Sequence, residues 1–258
     1  MLPFIRLGPF LLQAPGLALL VGLWVGSWFA EAEARRLGLN AAHVNNLIYY
    51  GLIAGVLGAR LTYAARFLDA YVANPAGLLA LTPATLDVNA GLLIGTATAI
   101  AFGQRWKLPL RATLDALAPG LAMFLIAIGV AHFLSGDAFG APARLPWSIY
   151  LWDDYRHPTQ VYEILAAVGI FLVVWKLPLD PTHKGLKFLF LVALSSAARV
   201  FLEGFRGDST FWLNGFRAAQ VVGLLIVGFS LWMMRRWVGP VSAPSSALAS
   251  PEASSLED

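Results

Sequence analysis

The sequence predicts an all-α, polytopic membrane protein with about seven transmembrane helices, and three observations carry that prediction. Hydrophobic residues make up 58% of the 258-residue chain and charged residues only 13%, about half of the roughly 25% found in an ordinary soluble domain. The mean hydropathy is +0.67. Polar residues fall in short clusters between long apolar runs, each near the roughly 20 residues that a spanning helix needs. This pattern excludes a water-soluble enzyme and a nucleic-acid binder. The net charge of +3 is therefore a property of the loops, not a DNA-binding face. Cysteine is absent, which removes disulfides, zinc-thiolate sites, a Cys nucleophile and S-palmitoylation.

Taken in order, the first predicted span runs from Phe10 to Ala30 behind a lone Arg6. It is longer than the apolar core of a signal peptide, so it reads as an uncleaved anchor helix. The second, Leu47 to Phe67, contains GVLGARLTY, in which Gly55 and Gly58 let another helix approach closely. The third, Val88 to Gly103, is the shortest. The fourth, Ala112 to Leu134, has Asp115 near its start, where the helix dipole favours an acid. The fifth, Thr159 to Leu177, begins within RHPTQVYE, with Pro158 fitting the first turn. Gly185 to Phe205 and Gly215 to Met234 complete the set. Residues 1–236 thus form one membrane domain. Residues 237–258, rich in Ser, Ala and Pro, bury too little apolar surface to fold and read as a disordered cytoplasmic tail. The loop at about 135–158 contains Trp147, Tyr150, Trp152 and Tyr155, an aromatic set suited to the headgroup layer.

Lys and Arg set the orientation. Loops after the odd-numbered spans carry Arg35 and Arg36; Arg105, Lys107 and Arg111; Lys176, Lys184 and Lys187; and Arg235 and Arg236. The N-terminus and the other loops carry only Arg6, Arg66, Arg144, Arg156, Arg206 and Arg217. The excess places the first set in the cytoplasm, the N-terminus outside and the C-terminus inside.

An ionisable side chain inside a span costs roughly 2.5 to 3.5 kcal/mol on insertion scales, so each one needs a reason. Arg60, Asp115, His132, Glu163, Arg199 and Glu203 are such residues, with polar Asn89, Gln160 and Tyr162 beside them. Arg199, Glu203 and Arg206 stand at i, i+4 and i+7, on one face of a helix. Gln160 and Glu163 share a face of the fifth span. Two readings follow: a buried Arg–Glu pair that locks two helices together, or a cationic pocket for a phosphate headgroup with carboxylates orienting the arginines. A free imidazole titrates near neutral pH, so a histidine at position 132 is one candidate for a general base. An interfacial histidine bonded to a carbonyl is the alternative. Arg60 either snorkels outward or contacts lipid phosphate.

Four motifs together resemble one family. RHPTQVYE, from Arg156 to Glu163, is similar to the RHPSQLYE signature of the prolipoprotein diacylglyceryl transferases. RVFLEGFRGD, from Arg199 to Asp208, GVLGARLTY, and the N-terminal stretch from Ile5 ending in Ala-Arg-Arg resemble further segments of that family in the same order. The likeness runs from about residue 5 to residue 236, and seven helices with the N-terminus outside is also that family's topology.

The resemblance implies an enzyme of the bacterial cytoplasmic (inner) membrane that joins the diacylglyceryl group of phosphatidylglycerol to the lipobox cysteine thiol of a prolipoprotein signal peptide. Membrane lipid and that peptide are its expected partners; nucleic acid, metal and cofactor are not. Arg199, Arg206, Arg156 and Arg60 are expected to hold phosphate, since guanidinium grips it in a fork. His132, Glu203 and Asp137 are expected to do chemistry, supported by His157, Gln160, Tyr162, Glu163, Gly136, Gly140 and Asn89. The chain departs from the family around the fourth span, where Gly129 stands at the family's arginine, His132 and Ser135 at its asparagines and Asp137 at its glutamate. Asn89 stands at its histidine. A relative that binds phospholipid or lipopeptide without transfer is the alternative. Restoring the arginine by Gly129→Arg is expected to raise transfer where the surrounding space accepts it.

Overall fold

The computed structural model describes residues 3–7, 10–79, 85–178, 183–212 and 215–238. Among these residues the chain forms eight α-helices and three two-stranded hairpins. The helices are α1 (Ala14–Arg36), α2 (Ala41–Arg66), the short α3 (Leu68–Ala73), α4 (Val88–Arg105), α5 (Leu110–Ser135), α6 (Thr159–Lys176), α7 (Leu186–Leu202) and α8 (Ala218–Val238). The hairpins pair β1 (Phe4–Leu7) with β2 (Phe10–Gln13), β3 (Ile149–Leu151) with β4 (Asp154–Arg156), and β5 (Phe211–Trp212) with β6 (Phe216–Arg217), all antiparallel.

Six helices are long and apolar enough to cross a membrane: α1, α2, α5, α6, α7 with its 3-10 continuation to Phe205, and α8. The remaining predicted span, the third, is α4, whose 18 residues rise about 27 Å, close to the thickness of a hydrocarbon core. The all-α membrane class holds. Several predicted boundaries do not, for local reasons. Phe10 to Gln13 pairs as a strand, and Pro15 in the first turn places the start of α1 at Ala14. Asn40 caps α2 by accepting the backbone N–H of His43, so the helix starts at Ala41, six residues before its predicted start. Helix α8 runs through Trp237 and Val238, so the tail does not begin at 237. The remainder of the predicted tail lies outside the described residues.

Helix pairs are antiparallel and close. Gly51 and Gly55 of α2 meet Gly95 and Gly91 of α4 backbone to backbone: a Cβ built on Gly95 would stand 2.7 Å from the Gly51 carbonyl oxygen. Gly26 of α1 faces Gly120 of α5 in the same way. Between α5, α6 and α7 an apolar cluster forms from Ala118, Ala122, Ile170, Val174 and Leu191.

At the end of the bundle where α1 finishes, polar ties replace apolar contact. Asp115 accepts the backbone N–H groups of Gly185 and Phe188. It therefore caps the N-terminus of α7, whereas the sequence suggested an acid serving the first turn of its own helix. Lys187 of α7 forms an ion pair with Glu33 of α1, each side chain only 4% exposed, and Arg36 reaches the other Glu33 oxygen at 2.9 Å.

At the opposite end the three hairpins gather. Trp152 and Asp153 both have positive φ, 53° and 60°, the backbone that a two-residue turn between β3 and β4 requires. Trp147, Tyr150, Trp152 and Tyr155 are all exposed there. The segment after α5 is threaded between β4 and the 205–207 stretch: Ala141 N–H donates to Phe205 O at 2.8 Å, Gly207 N–H to Phe139 O at 2.9 Å and His157 N–H to Ala141 O at 3.1 Å.

Candidate functional site

The site lies at the hairpin end, between the last turns of α5 and α7 and the first turns of α6. Glu163 stands in the second turn of α6 and is its centre. Its Oε1 accepts from Arg206 Nη1 at 2.7 Å and lies 3.5 Å from Arg199 Nη1. Its Oε2 lies 2.9 Å from Nδ1 of His132, near the end of α5. Glu203 is 2% exposed and stands 3.1 Å from Arg199 Nη2 and 3.9 Å from Arg206 Nε. Its Oε2 has close cations but no hydrogen bond of good geometry.

The convergence of Arg199, Glu203 and Arg206 is not a continuous α-helical face. Helix α7 ends at Leu202, a 3-10 turn covers Glu203–Phe205, and Arg206 is extended at ψ 142°. Arg206 is brought in by the sheet-like contact of its backbone with Gly140. Gly140 is required there because a Cβ would lie 2.2 Å from His157 O. Gly136, at φ 85°, ends α5 and turns the chain toward this contact.

The guanidiniums differ in what they can still bind. Arg206 is 9% exposed, and its fork is filled: Nε and Nη2 donate to the two Asp208 oxygens at 2.9 and 2.6 Å, while Nη1 donates to Glu163. Burial pulls its pKa down, but Asp208, then Glu163 and Glu203, outweigh that and hold it above the ordinary value. Arg199 is 43% exposed and spans Glu163 and Glu203, leaving it the more accessible cation. Two arginines here face three carboxylates, from Glu163, Glu203 and Asp208. With a neutral His132 the cluster is formally anionic by one charge, whereas one of the two readings of the sequence was a cationic pocket. Asp208 escaped sequence reading, although its position two residues after Arg206 in an extended segment is the available signal.

A cavity of about 190 Å³ opens beside this cluster, lined by His132, Glu163, Arg199, Ser195 and apolar residues of α5, α6 and α7, including Gly129. A larger groove of about 690 Å³ runs between α2, α4 and α5, and no ionisable side chain among the described residues lines it.

Other expected site residues are engaged elsewhere. Arg60 is 5% exposed and donates to the carbonyls of Gly77, Leu78 and Thr85, clasping the segment between α3 and α4. Its expected phosphate contact is replaced by backbone acceptors. Arg156 likewise donates to Leu151 O at 2.9 Å and Gly140 O at 3.3 Å. Asn89 is exposed in the first turn of α4, next to Asp87, which caps that helix. Asp137 is exposed and makes no ion pair among the described residues; its carbonyl accepts Gln160 Nε2 at 2.8 Å. Thr159 Oγ1 donates to Ala138 O at 2.6 Å, so the start of α6 clamps the loop after α5. His157 and Tyr162 form a separate aromatic group with Phe205, and Tyr162 Oη accepts from Trp147 Nε1 at 2.8 Å.

Comparison with known proteins gives a consistent picture. Residues 3–236 match the family model described as prolipoprotein diacylglyceryl transferase. The chain is 29% identical to the phosphatidylglycerol–prolipoprotein diacylglyceryl transferase of Geobacillus kaustophilus, over 92% of this chain and 93% of that protein. It is 27% identical to the protein of that name from Synechococcus elongatus, over 88% of this chain and 84% of the other. The Thermosynechococcus vestitus protein of the same name is also 27% identical, over 90% and 91%.

Proposed function

This chain belongs to the prolipoprotein diacylglyceryl transferase family, and on that premise we propose that it transfers the diacylglyceryl group of phosphatidylglycerol to the lipobox cysteine thiol of prolipoproteins. The thiol sulfur bonds to the glyceryl carbon, the bond from that carbon to the phosphate oxygen breaks, and glycerol phosphate leaves. The reaction takes place at the outer face of the bacterial cytoplasmic membrane. The N-terminus and the three hairpins lie outside and the C-terminus inside, in line with the Lys and Arg distribution.

The observation that supports this reading is the Glu163-centred cluster opening into a cavity between α5, α6 and α7. Arg199 is its accessible cation and binds the phospholipid phosphate. Arg206, fixed by Asp208 and Glu163, acts as the rigid support behind it. A guanidinium in a water-poor site stabilises charge developing on a leaving phosphate, and loss of one such contact costs roughly 10²- to 10³-fold in rate. Exposed aromatics of the β3–β4 hairpin hold this end at the headgroup layer.

A second reading, binding of phospholipid or lipopeptide without transfer, draws on Gly129 and Asn89, which stand where the family has an arginine and a histidine. Purified protein, phosphatidylglycerol vesicles and a synthetic lipobox peptide separate the two. Mass spectrometry should detect the diacylglyceryl thioether, with transfer at least 10²-fold slower in Arg199→Ala. Lipid binding with no product from any glycerophospholipid would establish the second reading.

A further inference from the structure

His132 stands in a setting that its place in the sequence does not account for. Its Nδ1 lies 2.9 Å from Glu163 Oε2, and its ring lines the 190 Å³ cavity together with Arg199. A carboxylate on Nδ1 fixes the tautomer with the proton on that nitrogen and leaves the Nε2 lone pair to accept one. Glu163 is itself held from behind by Arg206 at 2.7 Å, so this His–Glu pair has a fixed geometry.

The charge count gives the pair a second role. Two arginines oppose the carboxylates of Glu163, Glu203 and Asp208. A neutral His132 leaves the site one negative charge in excess, which disfavours a departing phosphate. A protonated His132 brings it to balance.

Resting on the transferase reading above, we infer that His132, oriented by Glu163, is the general base that takes the thiol proton, and that the imidazolium so formed supplies positive charge beside the leaving phosphate. The step balances. The S–H proton passes to Nε2 and the sulfur electron pair forms the C–S bond. The C–O pair departs on glycerol phosphate, which takes up the proton from His132 on release. One residue thereby serves as base and then as the cation missing at Gly129. The charged groups facing His132 are Glu163 from α6, Arg199 from α7 and, behind them, Glu203, Arg206 and Asp208. Helix α1 packs along α5, but its Glu31, Glu33, Arg35 and Arg36 lie at the far end of the bundle.

The test compares lipobox peptides carrying cysteine or selenocysteine, with phosphatidylglycerol vesicles and full-length protein, wild type and His132→Gln. A selenol is already ionised near neutral pH and needs no base. The substitution should slow transfer to cysteine by about 10²- to 10⁴-fold and slow transfer to selenocysteine clearly less, since that acceptor needs no base and loses only the charge beside the leaving phosphate. In wild type the rate with cysteine should fall on the acidic side, where protonated imidazole has no lone pair to offer. Equal losses on both acceptors, or an unchanged rate and pH profile with cysteine, overturn the assignment while leaving the transferase reading intact. Absence of transfer by wild type to either peptide overturns the transferase reading itself. Should His132→Gln fail to fold, the wild-type profile decides. A base on the protein makes the rate level off before the thiol's own ionisation, about 8.5, whereas a rate climbing up to that point overturns the proposal.

Discussion

Gly129 decides what the altered α5 motif can accommodate. A Cβ at this position would lie 2.8 Å from Ile164 Cγ1 and 3.2 Å from the Ile164 backbone nitrogen. The neighbour that must yield is the first part of α6, the same segment that carries Glu163. The room on which the sequence expectation for Gly129→Arg depended is missing, so the substitution is expected not to raise transfer. It pushes α6 away and separates Glu163 from His132. Thermal aggregation of detergent-purified Gly129→Arg should begin well below wild type, with transfer reduced. Even Gly129→Ala should cost about 1 to 3 kcal/mol, as overpacking does. Transfer above wild type in Gly129→Arg would show that α6 yields without harm. The same local view explains which site residues were legible. Each ionisable residue in an apolar run signals that a partner exists, and Glu163, Arg199, Glu203 and His132 do meet in one cluster. Arg60 and Arg156 gave the same signal but satisfy backbone carbonyls. Side-chain identity sets the need for acceptors without saying whether another side chain or a loop provides them.

Among the elements, close glycine contacts determine how the helices pair. Helices α2 and α4 meet through Gly51, Gly55, Gly91 and Gly95, with each carbonyl face against the next helix's glycine. In a membrane such small-residue contacts carry much of the association, since lipid tails compete equally for apolar side chains. Gly95→Ile should break this pair, because its Cβ alone would sit 2.7 Å from the Gly51 carbonyl oxygen. The expected result is new protease cleavage within residues 68–79, between α2 and α4, while α5, α6 and α7 stay protected. Unchanged proteolysis would mean that the pair does not depend on this contact. The spans themselves were legible because apolar length is a local property. Gly55 was legible as a contact position, but its partners on α4 were not, since pairing joins residues far apart in sequence. The hairpins were missed for a related reason: each is three or four residues of backbone pairing or fewer, too short for a period-two pattern to stand out from apolar surroundings.

At the scale of the whole molecule, antiparallel succession divides the polar residues between two ends. His132, Glu163, Arg199, Glu203 and Arg206 lie at the end with the hairpins, and so do the exposed Tyr150 and Tyr155. Glu33, Arg36, Lys187 and the Asp115 cap of α7 lie at the other, as do Arg35, Arg105 and Arg235 in the last turns of their helices. The richer basic population is expected in the cytoplasm, and the proposed function accordingly turns the Glu163 end outward, where a thiol on an exported precursor becomes available. The absence of cysteine makes this directly measurable. Single variants Tyr150→Cys and Arg105→Cys place one thiol at each end, both at exposed positions. In intact spheroplasts a membrane-impermeant maleimide should label Tyr150→Cys and spare Arg105→Cys, and permeabilisation should make Arg105→Cys reactive. The reverse pattern would place the Glu163 cluster on the cytoplasmic side. Exported prolipoprotein thiols could not reach it there, and the transferase reading would lose its substrate.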